Sequence, residues 1–140
     1  AAPMSGPAAT DVAETVAAAV GVLRSRRPLV QCFSSPAASS LTADVLLAAG
    51  ASPAMVHGRE EAPDFAAAQA ARAARGGGAF AVSLNTGSLD AERLSAMVET
   101  MSAVFVGCGK LGAERPPAVL DPVGVGGSAH RTPAPMAPPP

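Results

Sequence analysis

The sequence is poor in the residues that build several common classes of site. Tryptophan and tyrosine are absent and phenylalanine occurs four times, so the core must come mainly from Val, Leu, Met and Ala. The two cysteines, Cys32 and Cys108, cannot make a disulfide framework, and neither lies in a Cys/His array with zinc spacing. Charged residues make up 15% and leave a net charge of −1, so we expect no nucleic-acid partner.

No segment has the pattern of a membrane span or a secretory signal. The apolar stretch 12–23 has acidic residues at its front and the basic run 24–27 behind it, which is the reverse of a signal peptide. It is also too short to cross a bilayer. We therefore expect a cytoplasmic protein without a membrane partner, and 140 residues are enough for one domain with a single core.

Short apolar runs alternate with helical patterns along most of the chain. The runs predict strands at residues 28–33, 52–56, 79–84 and 118–120. A helix is predicted over 12–24, two more between the first three strands, and a fourth from Asp90 that ends by Gly107 or Gly109. Strands joined through helices need right-handed crossovers, which predicts an α/β fold: a three-layer, open, mostly parallel sheet.

Each predicted helix has an apolar stripe that should face the sheet. In the second helix, which Ser39 or Ser40 can cap and Gly50 can end, we expect Leu41, Val45, Leu46 and Ala49 to share one face. In the fourth helix the apolar positions recur at three- and four-residue steps, and Leu94 and Val98 are expected to be buried. Flanking these elements, residues 1–10 form a predicted flexible leader and 133–140 a disordered Pro-rich tail.

Candidate site residues lie in the loops that follow the strands, since ligands of open parallel sheets bind beyond the carboxyl ends. Asp121 ends the last strand and precedes Gly124, Gly126 and Arg131, a combination that suits a phosphate or Mg²⁺, although the pattern alone favours a plain Gly/Pro turn. Asn85 begins a turn that could contact a ligand or cap the fourth helix. Met55 could line a pocket for a flat ring or fill the core.

Two further features have simpler interpretations. His57 is a single histidine without a fixed carboxylate partner, which favours a loop residue over a catalytic base. The pair Glu60 and Glu61 is explained by the positive end of the third helix, with a functional role as the alternative.

Four segments in this order resemble the hydroxyethylthiazole kinase family. They are Gly-Ala-Ser-Pro-Ala-Met at 50–55, Glu-Glu at 60–61, Leu-Asn-Thr-Gly-Ser-Leu at 84–89, and Val-Leu-Asp-Pro-Val-Gly-Val-Gly-Gly at 119–127 with Arg131. The resemblance implies a ribokinase-like fold, with residues 11–132 as the N-terminal half of the kinase domain. It also implies phosphorylation of 4-methyl-5-(2-hydroxyethyl)thiazole by ATP and Mg²⁺ in thiamine salvage.

The resemblance also assigns roles to residues. Met55 would contact the thiazole and Arg131 the ATP phosphates, while Asp121 would hold the metal, with Gly124, Gly126 and Asn85 in the same phosphate and metal region. The family forms homotrimers with thiazole sites between subunits, so a homotrimer is implied.

The sequence departs from the family pattern in two places. Where the family has His-x-Ile-Thr-Asn after the first strand, this chain has Gln-Cys-Phe-Ser-Ser at 31–35. The family's C-terminal half, which carries the catalytic residue, has no counterpart after Arg131, so the interpretation is a fragment or degenerate member with its catalytic residue unknown. The alternatives are a non-catalytic assembly subunit, or another small-molecule binder with a Rossmann-like fold.

Overall fold

A computed structural model of the chain describes residues 9–127, with side chains from residue 11 onward. Four helices and four strands alternate along this part of the chain. They are α1 (Ala9–Arg26), β1 (Leu29–Phe33), α2 (Ser39–Ala49), β2 (Ser52–Ala54), α3 (Ala62–Ala74), β3 (Phe80–Asn85), α4 (Ala91–Leu111) and β4 (Ala118–Asp121). Most of the predicted leader, the predicted tail and Arg131 lie outside the described residues.

The four strands form one sheet in the order β2-β1-β3-β4, and all three pairings are parallel. The predicted α/β class is therefore confirmed. Seven of the eight strand ends lie within one residue of the predicted positions, and β2 ends at Ala54, two residues before the predicted end. Pro53 within β2 is tolerated because β2 is an edge strand of the described sheet.

Helices cover the two faces of the sheet unequally. On one face α3 and α4 pack together and onto alternate residues of β1 and β3, among them Phe33, Phe80 and Val82. On the other face, α2 contributes Leu46 to a smaller cluster around Val30 and Cys32. The side-chain alternation of β1 separates the two cores, since Val30 and Cys32 point away from Gln31 and Phe33.

The predicted buried stripe of α4 is wrong in part. Leu94 and Val98, expected against the sheet, are 41% and 57% exposed. The buried residues of this helix are Ala96, Met97, Thr100, Val104 and Cys108. Small side chains at 96, 100 and 108 let α3 approach closely, and α3 itself presents Ala62, Ala66 and Ala70. Close packing of two small-residue faces sets the rotation of α4, and hydropathy alone does not reveal it.

The predicted face of α2 is largely exposed as well. Val45 is 58% exposed and Leu41 is also exposed, and of that face only Leu46 belongs to the core. In α1, the side chains of Val12 and Val16, which belong to the stripe expected to face the sheet, are exposed. The start of α2 also differs from the prediction, in which Ser39 or Ser40 caps the helix. Ala38 occupies the N-cap position without a side-chain cap, and Ser39 Oγ donates to the carbonyl of Ser35 at 3.0 Å.

Glycines end two of the helices in the left-handed conformation. Gly50 follows α2 with φ of 100°, as predicted, and its N–H donates to the carbonyl of Leu47 at 3.0 Å. The fourth helix was predicted to end by Gly107 or Gly109, but it continues to Leu111 and ends at Gly112 with φ of 59°. Burial of Val104 and Cys108 against β3 and α3 offsets the weak helix propensity of the internal glycines.

Among the described residues, one helix is long and apolar enough to cross a membrane by length and composition, and that helix is α4. It connects the parallel strands β3 and β4 and packs against α3. This is the role of a crossover helix in an α/β domain.

Candidate functional site

The strand order places a switch point between β1 and β3. From β1 the chain passes through α2 to β2 on one side, whereas β3 lies on the other side of β1. The crossovers that leave β1 and β3 therefore run in opposite directions, and the carboxyl ends of these two strands are where an open parallel sheet normally binds its ligand. Ser34 and Ser35 follow β1, the turn 86–88 follows β3, and the loop 122–127 follows the neighbouring strand β4.

A carboxylate and an amide meet at the ends of β3 and β4. Asn85 and Asp121 are register partners, and Asn85 Nδ2 donates to Asp121 Oδ2 at 2.6 Å. Asn85 Oδ1 accepts from the backbone N–H of Gly87 at 2.9 Å, which fixes the amide orientation. Asn85 is thus a turn residue that holds Asp121, and the cap of α4 is Asp90, whose Oδ1 accepts from Arg93 N–H at 2.7 Å.

Thr86 ties the same two loops together. Its N–H donates to the carbonyl of Asp121 at 3.1 Å, and its Oγ1 donates to the carbonyls of Asp121 at 3.3 Å and Val123 at 3.2 Å. The backbone on either side of the Asp121 carboxylate is thereby held to β3. An exposed carboxylate fixed in this way is preorganised for a cation, because its orientation is set before any ligand arrives.

The glycine loop after Asp121 is a series of tight turns. Gly124 and Gly126 have φ of 78° and 88°, a region that favours glycine. Three loop amides donate within the loop: Val123 to Asp121 O at 2.9 Å, Val125 to Pro122 O at 3.3 Å, and Gly127 to Gly124 O at 3.0 Å. These three N–H groups point at the loop itself in this conformation, so the glycines serve turn geometry here.

The turns after β1 and β3 approach each other closely at Gly87. A Cβ at this position would lie 2.8 Å from Asn85 Oδ1 and 3.3 Å from Ser35 Cβ. Ser34 is buried beside this contact, and its carbonyl accepts from a guanidinium N–H of Arg93 at 2.8 Å. The space between these two turns is therefore narrow, and Arg93 of α4 fixes one of its walls.

The segment that departs from the family pattern is part of the core. Gln31 is fully buried, and its Nε2 donates to the carbonyls of Val56 at 2.9 Å and Ala62 at 3.2 Å. Within the described part of the chain, its Oε1 has no hydrogen-bond partner. The side chain therefore joins β1 to the segment between β2 and α3, which is a structural role that sequence reasoning missed.

Met55 lies just beyond β2, on the face that carries α2. It is partly buried and packs against the cluster formed by Val30, Cys32 and Ala51. The strand order puts β1 and β3 between Met55 and Asp121, so the two residues are separated by roughly 14 Å at a strand spacing of ~4.8 Å. They do not converge on one small ligand within this chain.

His57 lines a cavity of about 200 Å³ whose other lining residues are Gly58, Arg59, Asp90, Glu92 and Arg93. Its Nδ1 is buried and has no hydrogen-bond partner among the residues that the structure describes. Arg59 is paired with Glu99 at 2.7 Å, and this contact lowers the pKa of the Glu99 carboxyl and raises the pKa of Arg59. Acidic and basic side chains both line the cavity, and its lining residues do not include Asn85 or Asp121.

The remaining predicted groups are placed as follows. Within residues 9–127, no three His, Cys, Asp or Glu side chains converge as a ready-made metal site. Glu61 occupies the N-cap position of α3 and is exposed, which agrees with the helix-dipole interpretation. Cys32 is a fully buried core residue, and this burial raises the pKa of its thiol.

Arg93 is the site-wall residue that sequence reasoning did not identify. Its contact with Ser34 spans 59 residues, and nothing in the local pattern around either residue indicates it.

Comparisons with known proteins agree on one family. The model of the "Hydroxyethylthiazole kinase family" matches residues 20–136. A hydroxyethylthiazole kinase of Kineococcus radiotolerans is 41% identical over 121 residues, which are 86% of this chain and 38% of that protein. One from Cereibacter sphaeroides is 42% identical over 109 residues, 78% of this chain and 35% of its own length.

A solved structure gives the same result for the fold. The hydroxyethylthiazole kinase protein of Pyrococcus horikoshii superposes with a TM-score of 0.62 and 32% identity, over 84% of this chain and 40% of that one. The chain thus spans about two fifths of the length of the proteins it matches.

Proposed function

The chain belongs to the hydroxyethylthiazole kinase family, and on that premise we propose that it takes part in the ATP-dependent phosphorylation of a thiazole alcohol. The acceptor is the hydroxyethyl group of 4-methyl-5-(2-hydroxyethyl)thiazole, and the products are its phosphate ester and ADP. Thiamine salvage, a cytoplasmic location and a homotrimeric assembly belong to the same proposal.

The observation that carries the proposal is the Asp121 carboxylate held by Asn85 at the carboxyl edge of a parallel sheet. Mg²⁺ in phosphoryl-transfer sites is usually bound through one or two carboxylates, several waters and the phosphates themselves. A single oriented, exposed carboxylate fits that donor set. When bound, Mg²⁺ would neutralise charge on the phosphates, and Asp121 would supply its protein ligand.

We assign binding of the ATP phosphates to the residues that follow Asp121. Arg131, four residues beyond Gly127, would contact ATP phosphates with its guanidinium, a charge-assisted interaction. Arg131 follows Asp121 by ten residues, and Gly124 and Gly126 allow the tight turns that begin this segment. We assign the group that activates the alcohol to the part of the family fold that this chain does not match.

We assign contact with the thiazole ring to Met55. The roughly 14 Å between Met55 and Asp121, from ~4.8 Å per strand, is too far for one small alcohol to reach both within a chain. A homotrimer with thiazole sites between subunits accounts for this separation, because Met55 of one copy can then face the phosphate region of another.

The test is calorimetric titration of the 140-residue chain with ATP, with and without Mg²⁺, and separately with hydroxyethylthiazole. We expect Asp121→Asn to remove the Mg²⁺-dependent part of ATP binding while it keeps the contact with Asn85 through the amide oxygen. When the chain is fused to the part of a relative that it does not match, Arg131→Ala should weaken ATP binding about tenfold or more, as loss of a contact of ~1.5–3 kcal/mol requires. Neither change should alter thiazole binding.

Asp44→Asn is the matched control, since it removes an exposed carboxylate from the middle of α2. ATP binding that is independent of Mg²⁺ in the unmodified chain, or equal effects of the two Asp→Asn changes, would contradict the assignment of Asp121.

A further inference from the structure

A cavity of about 520 Å³ lies at the amino end of the sheet, opposite to the edge that carries Asp121 and Asn85. Its walls are the end of α1, the last turns of α3, the start of β3 and the loop 113–117. Phe80 and Asn85 are the first and last residues of β3, so roughly 16 Å separates the cavity from the Asp121 pair at ~3.3 Å per residue. Small-molecule sites usually occupy ~300–1,000 Å³, so this cavity can hold a ligand of its own.

The inner wall of the cavity is apolar. Ala70 and Phe80 are buried in the core between α3, α4 and β3, and Ala73 packs against the same core. All three residues line the cavity, and Pro116 and Pro117 line it from the loop before β4. The alanines of α3 leave room that larger side chains would fill. An aromatic ring can therefore pack against this wall.

Guanidinium groups lie around the same cavity. Arg26 and Arg115 both line it, and Arg115 is held over the ring of Phe105, 4.7 Å from the ring centre. Arg72 reaches it beside Gly78, another lining residue, since a Cβ at Gly78 would lie 3.2 Å from Nη1 of Arg72. Three cationic side chains therefore meet next to an apolar wall.

Helix dipoles explain part of this arrangement. Arg26 and Arg72 lie in the last turns of α1 and α3, where a cation offsets a helix end of roughly −0.5 charge. Glu114 is the carboxylate among the described lining residues. The three guanidinium charges exceed this carboxylate and the two helix ends together, and within residues 9–127 neither Arg26 nor Arg115 is in an ion pair. A positive charge therefore remains at the cavity.

We propose that this cavity binds a small organic anion, whose apolar ring packs on Ala73 and Phe80 while its anionic group is bound by Arg26 and Arg115. Arginine suits phosphate, sulfonate and carboxylate groups because its N–H groups can donate two parallel hydrogen bonds to their oxygens. An inorganic anion would leave the apolar wall uncovered, which favours an organic ligand. The site is separate from the proposed phosphoryl-transfer site and does not depend on that reaction.

The test uses the fluorescent probe anilinonaphthalene sulfonate, which joins an aromatic body to an anionic group, and the folded 140-residue chain. We expect saturable one-to-one binding. Phenylnaphthylamine, which has the same aromatic body without the sulfonate, should bind about tenfold more weakly, because it makes no charge-assisted contact. Phenyl phosphate should displace the anionic probe, and inorganic phosphate at the same ionic strength should not.

Arg26→Gln and Arg115→Gln are the diagnostic variants. Each removes one guanidinium group and should weaken binding of the anionic probe about tenfold, while binding of the uncharged analogue stays the same. Arg24→Gln, on the same helix as Arg26 but outside the lining, is the matched control and should leave both affinities unchanged. Urea unfolding of each variant checks that it is folded, since this probe also binds partly folded chains.

A second kind of variant blocks the cavity without changing a charge. Ala74 is the last residue of α3, is exposed and lines the cavity, so Ala74→Phe should place a ring inside it and exclude both probes.

Three results would overturn the proposal: equal affinity for the two probes, an equal loss with Arg24→Gln, or binding that survives Ala74→Phe. The last result would place the probe on exposed apolar surface elsewhere, such as that of α2. A failure to bind ATP would leave these outcomes unchanged, since no nucleotide is present in the assay.

Discussion

A matched pair of substitutions in α4 tests the packing of the domain most directly. Val104 and Val98 are on the same helix, and their exposed fractions are 1% and 57%. Changing each to Ala makes the same chemical change and gives the same gain in helix propensity, up to ~0.7 kcal/mol. The difference between the two variants therefore reports burial alone.

The magnitude follows from the surroundings of Val104, which packs with Ala66, Ala70, Phe80 and Val82. Removing two buried carbon groups costs ~1.6 kcal/mol at ~0.8 kcal/mol each, before any cavity is counted. A residual cavity between α3 and β3 raises the loss to roughly 2–3 kcal/mol, less the propensity gain. Val98→Ala should be within about 0.5 kcal/mol of the unmodified protein, as for other surface changes.

The assay is urea unfolding followed by circular dichroism, because the chain has no tryptophan or tyrosine to report by fluorescence. A lower midpoint with an unchanged slope for Val104→Ala would indicate a loss of stability without a change in the unfolded state. Equal losses for both variants, or a larger loss for Val98→Ala, would refute the rotation of α4 described above.

Two further predictions concern α2 and the core beneath it. Gly50→Ala should destabilise the fold by about 1 kcal/mol or more, since φ is 100° there and a Cβ would lie 2.9 Å from Arg24 Cα; Gly58→Ala, which meets nothing, is the control for the unfolding measurement. Burial raises the pKa of the Cys32 thiol, so the thiol's contribution to stability should be present below its unfolded pKa of ~8.5 and lost as pH rises above it. Unfolding titrations between pH 7 and 10 measure this loss, and Cys32→Ala should reduce the dependence on pH; an unchanged dependence would contradict a buried neutral thiol.

The order and class of the elements could be predicted because each rests on local pattern. Residues 28–33 and 118–120 are apolar runs bounded by Pro, Gly or Ser, and they become β1 and β4 with shifts of one residue at an end. The end of α2 at Gly50 could be predicted because glycine adopts the left-handed backbone conformation without steric cost. Parallel pairing follows from the helices between the strands, since a short hairpin cannot join parallel strands.

The sequence predicted where the candidate site residues lie, but it did not predict which of them contact each other. That Asp121 and Asn85 lie at strand ends follows from the sequence, but their contact joins residues 36 apart and depends on β3 and β4 being neighbours in register. The role of Arg93 on the carbonyl of Ser34 depends in the same way on where α4 packs. Asn85 was open between a ligand contact and a helix cap, and the structure gives the cap to Asp90.

By itself the sequence determined which segments are helices and strands, their parallel arrangement, and the family motifs at the strand ends, because periodicity, glycine and chain order act locally. Only the tertiary structure decided which apolar stripes are buried. Leu94 and Val98 have the hydropathy of core residues, yet the small side chains of α3 and α4 bring those helices together along another face. Burial depends on what lies opposite a side chain, and the residues opposite come from distant parts of the chain.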